Sequence, residues 1–148
     1  MRKTIRYFVI VAVVFLVAAQ FIRPDLISPA ANPAYAFEAI GNPNPELLSM
    51  LKRSCYDCHS YTTVWPWYSR VAPASWLVAD DVKEGRAHLN FSEWGLLSPE
   101  MAQSKLRSAC EEVREGGMPL VQYRLIHWNA RPADQEIAHL CAAAEKAR

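Results

Sequence analysis

Residues 55–59 read Cys55-Tyr56-Asp57-Cys58-His59. Two thiols three positions apart, followed at once by an imidazole, form the pattern of covalent c-type haem attachment. The chemistry requires that order. Each cysteine adds across one haem vinyl group to make a thioether, and the two-residue gap matches the separation of the vinyls. His59, held beside the second thioether, is placed to supply the proximal nitrogen to the iron. A CxxC pair also serves as a redox dithiol or as half of a zinc site. The first wants a βαβ setting and the second another ligand pair, and neither pattern is visible in the sequence.

Upstream of the motif, Asn44 is a good helix cap, Pro45 suits the first helical position and Glu46 the first turn. Leu47, Leu48 and Leu51 then share one face, and Cys55 continues that stripe, so the helix delivers the first thiol to the core side. Downstream, Tyr61-Thr62-Thr63-Val64-Trp65-Pro66-Trp67-Tyr68-Ser69-Arg70 follows directly on His59. Any one of these aromatics reads equally as ordinary core. As a block, Trp65, Trp67 and Tyr68 are the expected wall of a haem pocket. Arg70 is the nearest downstream cation, either pairing with a haem propionate or solvated.

A second helix is predicted from Pro73 to His88, with Val71, Ala74, Val78 and Val82 on its apolar side. Asp80 and Asp81 have no convergent partner and read as wet surface. Ser98-Pro99-Glu100 starts a third helix, whose stripe runs through Ala102, Leu106, Ala109, Cys110 and Val113 until Gly116-Gly117 ends it. A final helix beginning at Pro132 turns Ile137, Leu140, Cys141 and Ala144 inward. Cys110 and Cys141 therefore occupy equivalent places in two amphipathic helices. Two readings stay open for them: a disulfide made in an oxidising compartment, or two small buried hydrophobes.

The first residues are different. Arg2, Lys3 and Arg6 precede an apolar run from Tyr7 to Ile22, the form of an export signal with its basic end in the cytoplasm. Residues 1–23 are expected to stay as a membrane anchor, spanning through 7–22, rather than to be cut at Ala34-Tyr35-Ala36. Residues 24–44 hold four of the ten prolines and read as an extended tether, which leaves 45–148 as the folded domain. The four basic residues at 2, 3, 6 and 23 leave 12 basic against 15 acidic residues over 24–148, a net charge of −3. That balance argues against nucleic acid as a partner.

Four helices, long loops and no alternating strand pattern predict an all-α domain. The layout resembles the single-haem c-type cytochromes. More narrowly, the chain resembles the haem-binding-domain family of bacterial envelope proteins. The similarity lies in residues 55–60, in Trp65-Pro66-Trp67-Tyr68-Ser69-Arg70-Val71-Ala72-Pro73, in His88-Leu89-Asn90-Phe91-Ser92-Glu93-Trp94 and in Gly117-Met118-Pro119-Leu120. It covers roughly residues 46–141. The resemblance implies a small cytochrome c-like fold around one covalent haem c, in a secreted or membrane-anchored protein facing the periplasm. Gly116-Gly117 and Pro119 put Met118 on a constrained loop, similar to the Met-Pro loop that closes the distal side of single-haem cytochromes. Met118 is thus the expected sixth ligand, with His127 or His88 as alternatives.

Three functions follow from these readings. With both axial positions filled, the protein carries single electrons for a redox partner and has no catalytic residue. With a displaceable sixth ligand it is a sensor or a peroxidase-like enzyme, for which His88, His127 and Arg124 are the available distal groups. With no haem, Cys55 and Cys58 form a dithiol oxidoreductase site.

Overall fold

The computed structural model describes residues 2–146. Among these the chain forms α1 (Arg2–Ala19), α2 (Phe37–Ile40), α3 (Pro45–Ser54), α4 (Tyr56–His59), α5 (Ala74–His88), α6 (Pro99–Glu115), α7 (Val121–Ile126) and α8 (Asp134–Lys146), joined through short 3-10 turns and with no strand. The domain is all-α, as the patterning predicts.

Local chemistry sets the helix ends. Asn44 Oδ1 accepts the Leu47 N–H at 2.7 Å and Pro45 fills the first turn of α3. A cap of this kind contributes about 1 kcal/mol. Ser98 does the same for α6, accepting the Met101 N–H at 3.3 Å. That helix stops at Gly116, whose φ of 78° places it in the left-handed region that glycine enters without a Cβ penalty.

The core gathers Leu47, Met50 and Leu51 of α3 with Leu106 and Val113 of α6 and Leu140 of α8. Met50 is completely buried. An aromatic layer closes one end. Tyr56 stacks on Phe91 with ring centres 4.9 Å apart, and Phe37 meets Trp94 edge-on at 4.8 Å. Phe37 comes from the stretch expected to be an extended tether. The run from Ala34 to Ile40 contains no proline, so it turns at Pro33–Tyr35, forms α2 and buries Phe37. Cys110 and Cys141 are joined by a disulfide, with Cα atoms 5.1 Å apart, which ties α8 to α6.

The N-terminal segment departs from expectation. The apolar part of α1, Tyr7 to Ala19, rises about 20 Å, against the ~30 Å of a bilayer core. Arg2, Lys3 and Arg6 occupy the rest of the helix. No helix among the described residues is long and apolar enough to cross a membrane, so a spanning segment over 7–22 is not borne out. The helix ends because Gln20 turns to the domain: its side chain donates to the Ala72 carbonyl at 3.1 Å and accepts the Ala72 N–H at 3.0 Å. Trp76 Nε1 then donates to the Ile22 carbonyl, and Arg86 donates to the Ile27 carbonyl, both at 2.7 Å. Residues 20–28 form a strap across α5.

Candidate functional site

Residues 55–59 join the end of α3 to the single turn of α4. Cys55 closes α3, its N–H donating to the Leu51 carbonyl at 2.8 Å, and Cys58 and His59 end the next turn. Both cysteines are unpaired and half-buried, in contrast to the bridged Cys110 and Cys141. Burial, helped by the charge of Cys58, pushes the Cys55 thiol up to about 12. Burial and then Asp57 push the Cys58 thiol to about 12 as well. These are protonated, inert thiols on their own, unlike the low-pKa cysteines of dithiol enzymes.

The approach of α5 fixes this turn. A Cβ added at Gly85 would lie 2.8 Å from the Cys58 carbonyl oxygen, closer than real atoms come. Only glycine lets the two helices pack there. The buried face of α5 is accordingly Ser75, Val82 and Gly85, while Val71, expected on its apolar side, is exposed. His59 Nδ1 lies 3.0 Å from the Leu89 carbonyl oxygen, just past the end of α5. Since a carbonyl only accepts, Nδ1 carries the proton and Nε2 keeps its lone pair. Burial holds the imidazole below its usual pKa, hence neutral.

Asp57, between the two cysteines, is a second anchor. One carboxylate oxygen accepts the Val64 N–H at 3.0 Å, and the other accepts the Tyr123 hydroxyl of α7 at 2.8 Å. Its carbonyl also accepts from the Thr63 hydroxyl at 2.7 Å. The loop after His59 and α7 are therefore both held to the CxxCH turn. Tyr68 Oη and His127 Nε2 hydrogen-bond at 2.7 Å, and His127 stacks on Tyr123 with ring centres 4.2 Å apart.

The aromatic block expected to form one wall divides. Tyr68 joins the cluster beside Asp57, while Trp67, packed edge-on against it, is 77% exposed. Trp65 instead faces a cleft of about 680 Å³ that the strap makes with α5, lined also by Tyr61, Trp76, Lys83 and Arg86. Neither cysteine of the motif, nor His59 or Met118, lines that cleft. Trp65 Nε1 is buried with no acceptor. Arg70 is exposed. Met118 follows the left-handed Gly116, donates its N–H to the Glu112 carbonyl at 3.1 Å, and packs half-buried against the same core cluster as Cys55. Sequence reasoning missed Asp57, Gly85, Leu89 and Tyr123. The first stands at a variable position of the motif, and the others act through tertiary contacts that no local pattern signals.

A family model described as a haem-binding domain matches residues 14–146, which supports haem binding. Neither the curated proteins nor the solved structures give a match. With a CxxCH turn positioned by α5 and a family match over nearly its whole length, the chain belongs to the haem-binding-domain family.

Proposed function

We propose that this protein is an envelope c-type cytochrome holding one haem covalently through Cys55 and Cys58, and that it carries single electrons between redox partners. The observation that carries the reading is the state of the motif. Two thiols stay unpaired in a chain whose other two cysteines are bridged, and the adjacent imidazole is held neutral with Nε2 free. The residues fit the group. Thioether formation needs free thiols and iron needs an unprotonated nitrogen, and residues 55–59 hold both. The haem supplies a one-electron iron couple.

Met118 is the proposed sixth ligand. The histidines have other engagements: His127 is bound to Tyr68, His139 lies 3.3 Å from Glu46, and His88 is exposed. A thioether opposite an imidazole raises the potential and fills the site, which suits a carrier rather than a gas or peroxide site. The disulfide and the basic-then-apolar start of α1 support export to an oxidising compartment, the periplasm. Absorption spectra of the oxidised, reduced and carbon monoxide-treated protein test the assignment. A carrier ligated by Met118 shows a long-wavelength iron–thioether band when oxidised and ignores carbon monoxide. Met118→Ala loses the band, binds the gas and has a lower potential.

A further inference from the structure

Helix α1 is apolar on every side. From Ile5 to Val17 its large hydrophobic side chains are all between 47% and 69% exposed, and of its residues only Ala19 is buried. A groove on a protein covers one stripe of a helix and leaves the opposite face wet. Hydrocarbon covers the whole circumference, which is what a helix apolar all round requires.

The end of this helix is locked to the folded domain. Gln20 Nε2 donates to the Leu16 carbonyl at 2.8 Å as well as to that of Ala72, and the Ala72 N–H donates back to the Gln20 side chain. Trp76 then holds the Ile22 carbonyl. These contacts enclose a recess of about 300 Å³, lined by Ile22, Arg23 and Asp25 from the strap and by Ser69, Arg70 and Ser75 from the approach to α5. Its charged residues are two arginines and one aspartate, a net charge of +1. The ion pairs among the described residues join Lys52 to Glu38, Arg53 to Glu136 and His139 to Glu46, so neither arginine is held by a carboxylate. Phe21, 84% exposed, and Val71, also exposed, each adjoin the Gln20–Ala72 pair in sequence. Cations and bare apolar groups at the end of an apolar helix are what meets the headgroup level of a bilayer.

We propose that this recess holds the phosphate of an anionic phospholipid between Arg23 and Arg70, and so seats the folded domain directly on the bilayer that receives the domain end of α1. Arginine suits the task because its planar fork can offer two N–H groups to one phosphate. The hydrogen bonds of Gln20 and Trp76 then fix how the domain stands on the membrane, with the start of α5 toward the lipid. The seat needs lipid only around the last turns of α1, with no crossing of the bilayer, and it is independent of the haem assignment.

The test uses the full chain and vesicles of phosphatidylcholine with or without phosphatidylglycerol. Wild type is compared with Arg23→Gln/Arg70→Gln and with Arg107→Gln/Arg114→Gln, two exposed positions on α6 that remove the same charge. All three should bind both kinds of vesicle through α1, and wild type should prefer the anionic ones. The recess variant should lose about thirtyfold of that preference, roughly fivefold for each arginine at an anionic surface, and the α6 variant should keep it. Hydrogen exchange over residues 20–28 and 69–75 should slow on the anionic vesicles more than on the neutral ones. Equal losses in the two variants would show a diffuse charge effect and overturn the proposal. Inorganic phosphate that protects the same residues as strongly as the anionic vesicles would make the recess a site for free anions and overturn the lipid assignment. A mature chain in the cell envelope that begins after Ala36 would lack Arg23 and overturn it as well.

Discussion

The Nδ1 of His59 hydrogen-bonds the carbonyl oxygen of Leu89 at 3.0 Å, so the residue that ends the CxxCH motif is oriented by the residue just past the end of α5. The same helix carries Gly85, against which the Cys58 carbonyl packs. One helix therefore sets the position of both. Gly85→Ala pushes a methyl group into backbone that has no freedom to yield, at a cost of about 1–3 kcal/mol. Urea denaturation of the haem-free chain measures the loss, and haem content after maturation should fall with it. Ala87→Gly, on an exposed position of α5, is the control and costs no more than about 1 kcal/mol.

Arg86 holds the strap. Its guanidinium donates to the carbonyls of Ser60 at 2.8 Å and Ile27 at 2.7 Å and to the Thr63 hydroxyl at 2.9 Å, and it lies over the Tyr61 ring. Arg86→Gln should release residues 20–28 to proteases and lower stability by about 1–3 kcal/mol, the range for a charged donor losing its acceptors. An unchanged digestion pattern would mean that Gln20 and Trp76 hold the strap without it.

Burial of the thiols gives the haem-free chain a pH dependence. Unfolding restores an ordinary pKa of 9.0 to Cys55 and Cys58, against about 12 in the folded state. A raised folded pKa contributes stability that is complete below pH 9 and is lost as pH rises toward 12. Denaturation midpoints should fall across that window, and less steeply in Cys55→Ala/Cys58→Ala. At pH 8 iodoacetamide should modify the folded thiols far more slowly than those in urea.

The Cys110–Cys141 bridge closes a loop across a sequence separation of 31. Reduction, or the double change to alanine, should cost about 3–4 kcal/mol. Thiol titration of the unfolded, unreduced, haem-loaded protein should find no reactive thiol. Two would contradict the bridge.

How far the sequence was legible follows the range of the interactions. Asn44, Ser98 and Gly116 act within one helical turn, and each sits where its chemistry predicts. The haem motif is equally local. Cysteine pairing was open because periodicity shows which face a thiol occupies but not which helix it meets. Helix α7 was missed because it is six residues long with no side-chain cap. The division of the aromatic block, with Tyr68 turned to His127 and Trp65 to the cleft, depends on partners 59 residues away or on the strap. No window along the chain contains that information.

Covalent attachment at Cys55 and Cys58 is the central claim, and mass spectrometry after acid–organic extraction tests it most directly. The protein is made in a host that attaches c-type haem, denatured, extracted and weighed. The account predicts a polypeptide that keeps its haem, with the mass of the chain plus one haem. Cys55→Ala should keep only a single thioether or fail to mature. Haem that leaves wild type in the organic phase, with a polypeptide of unmodified mass behind it, would contradict the account.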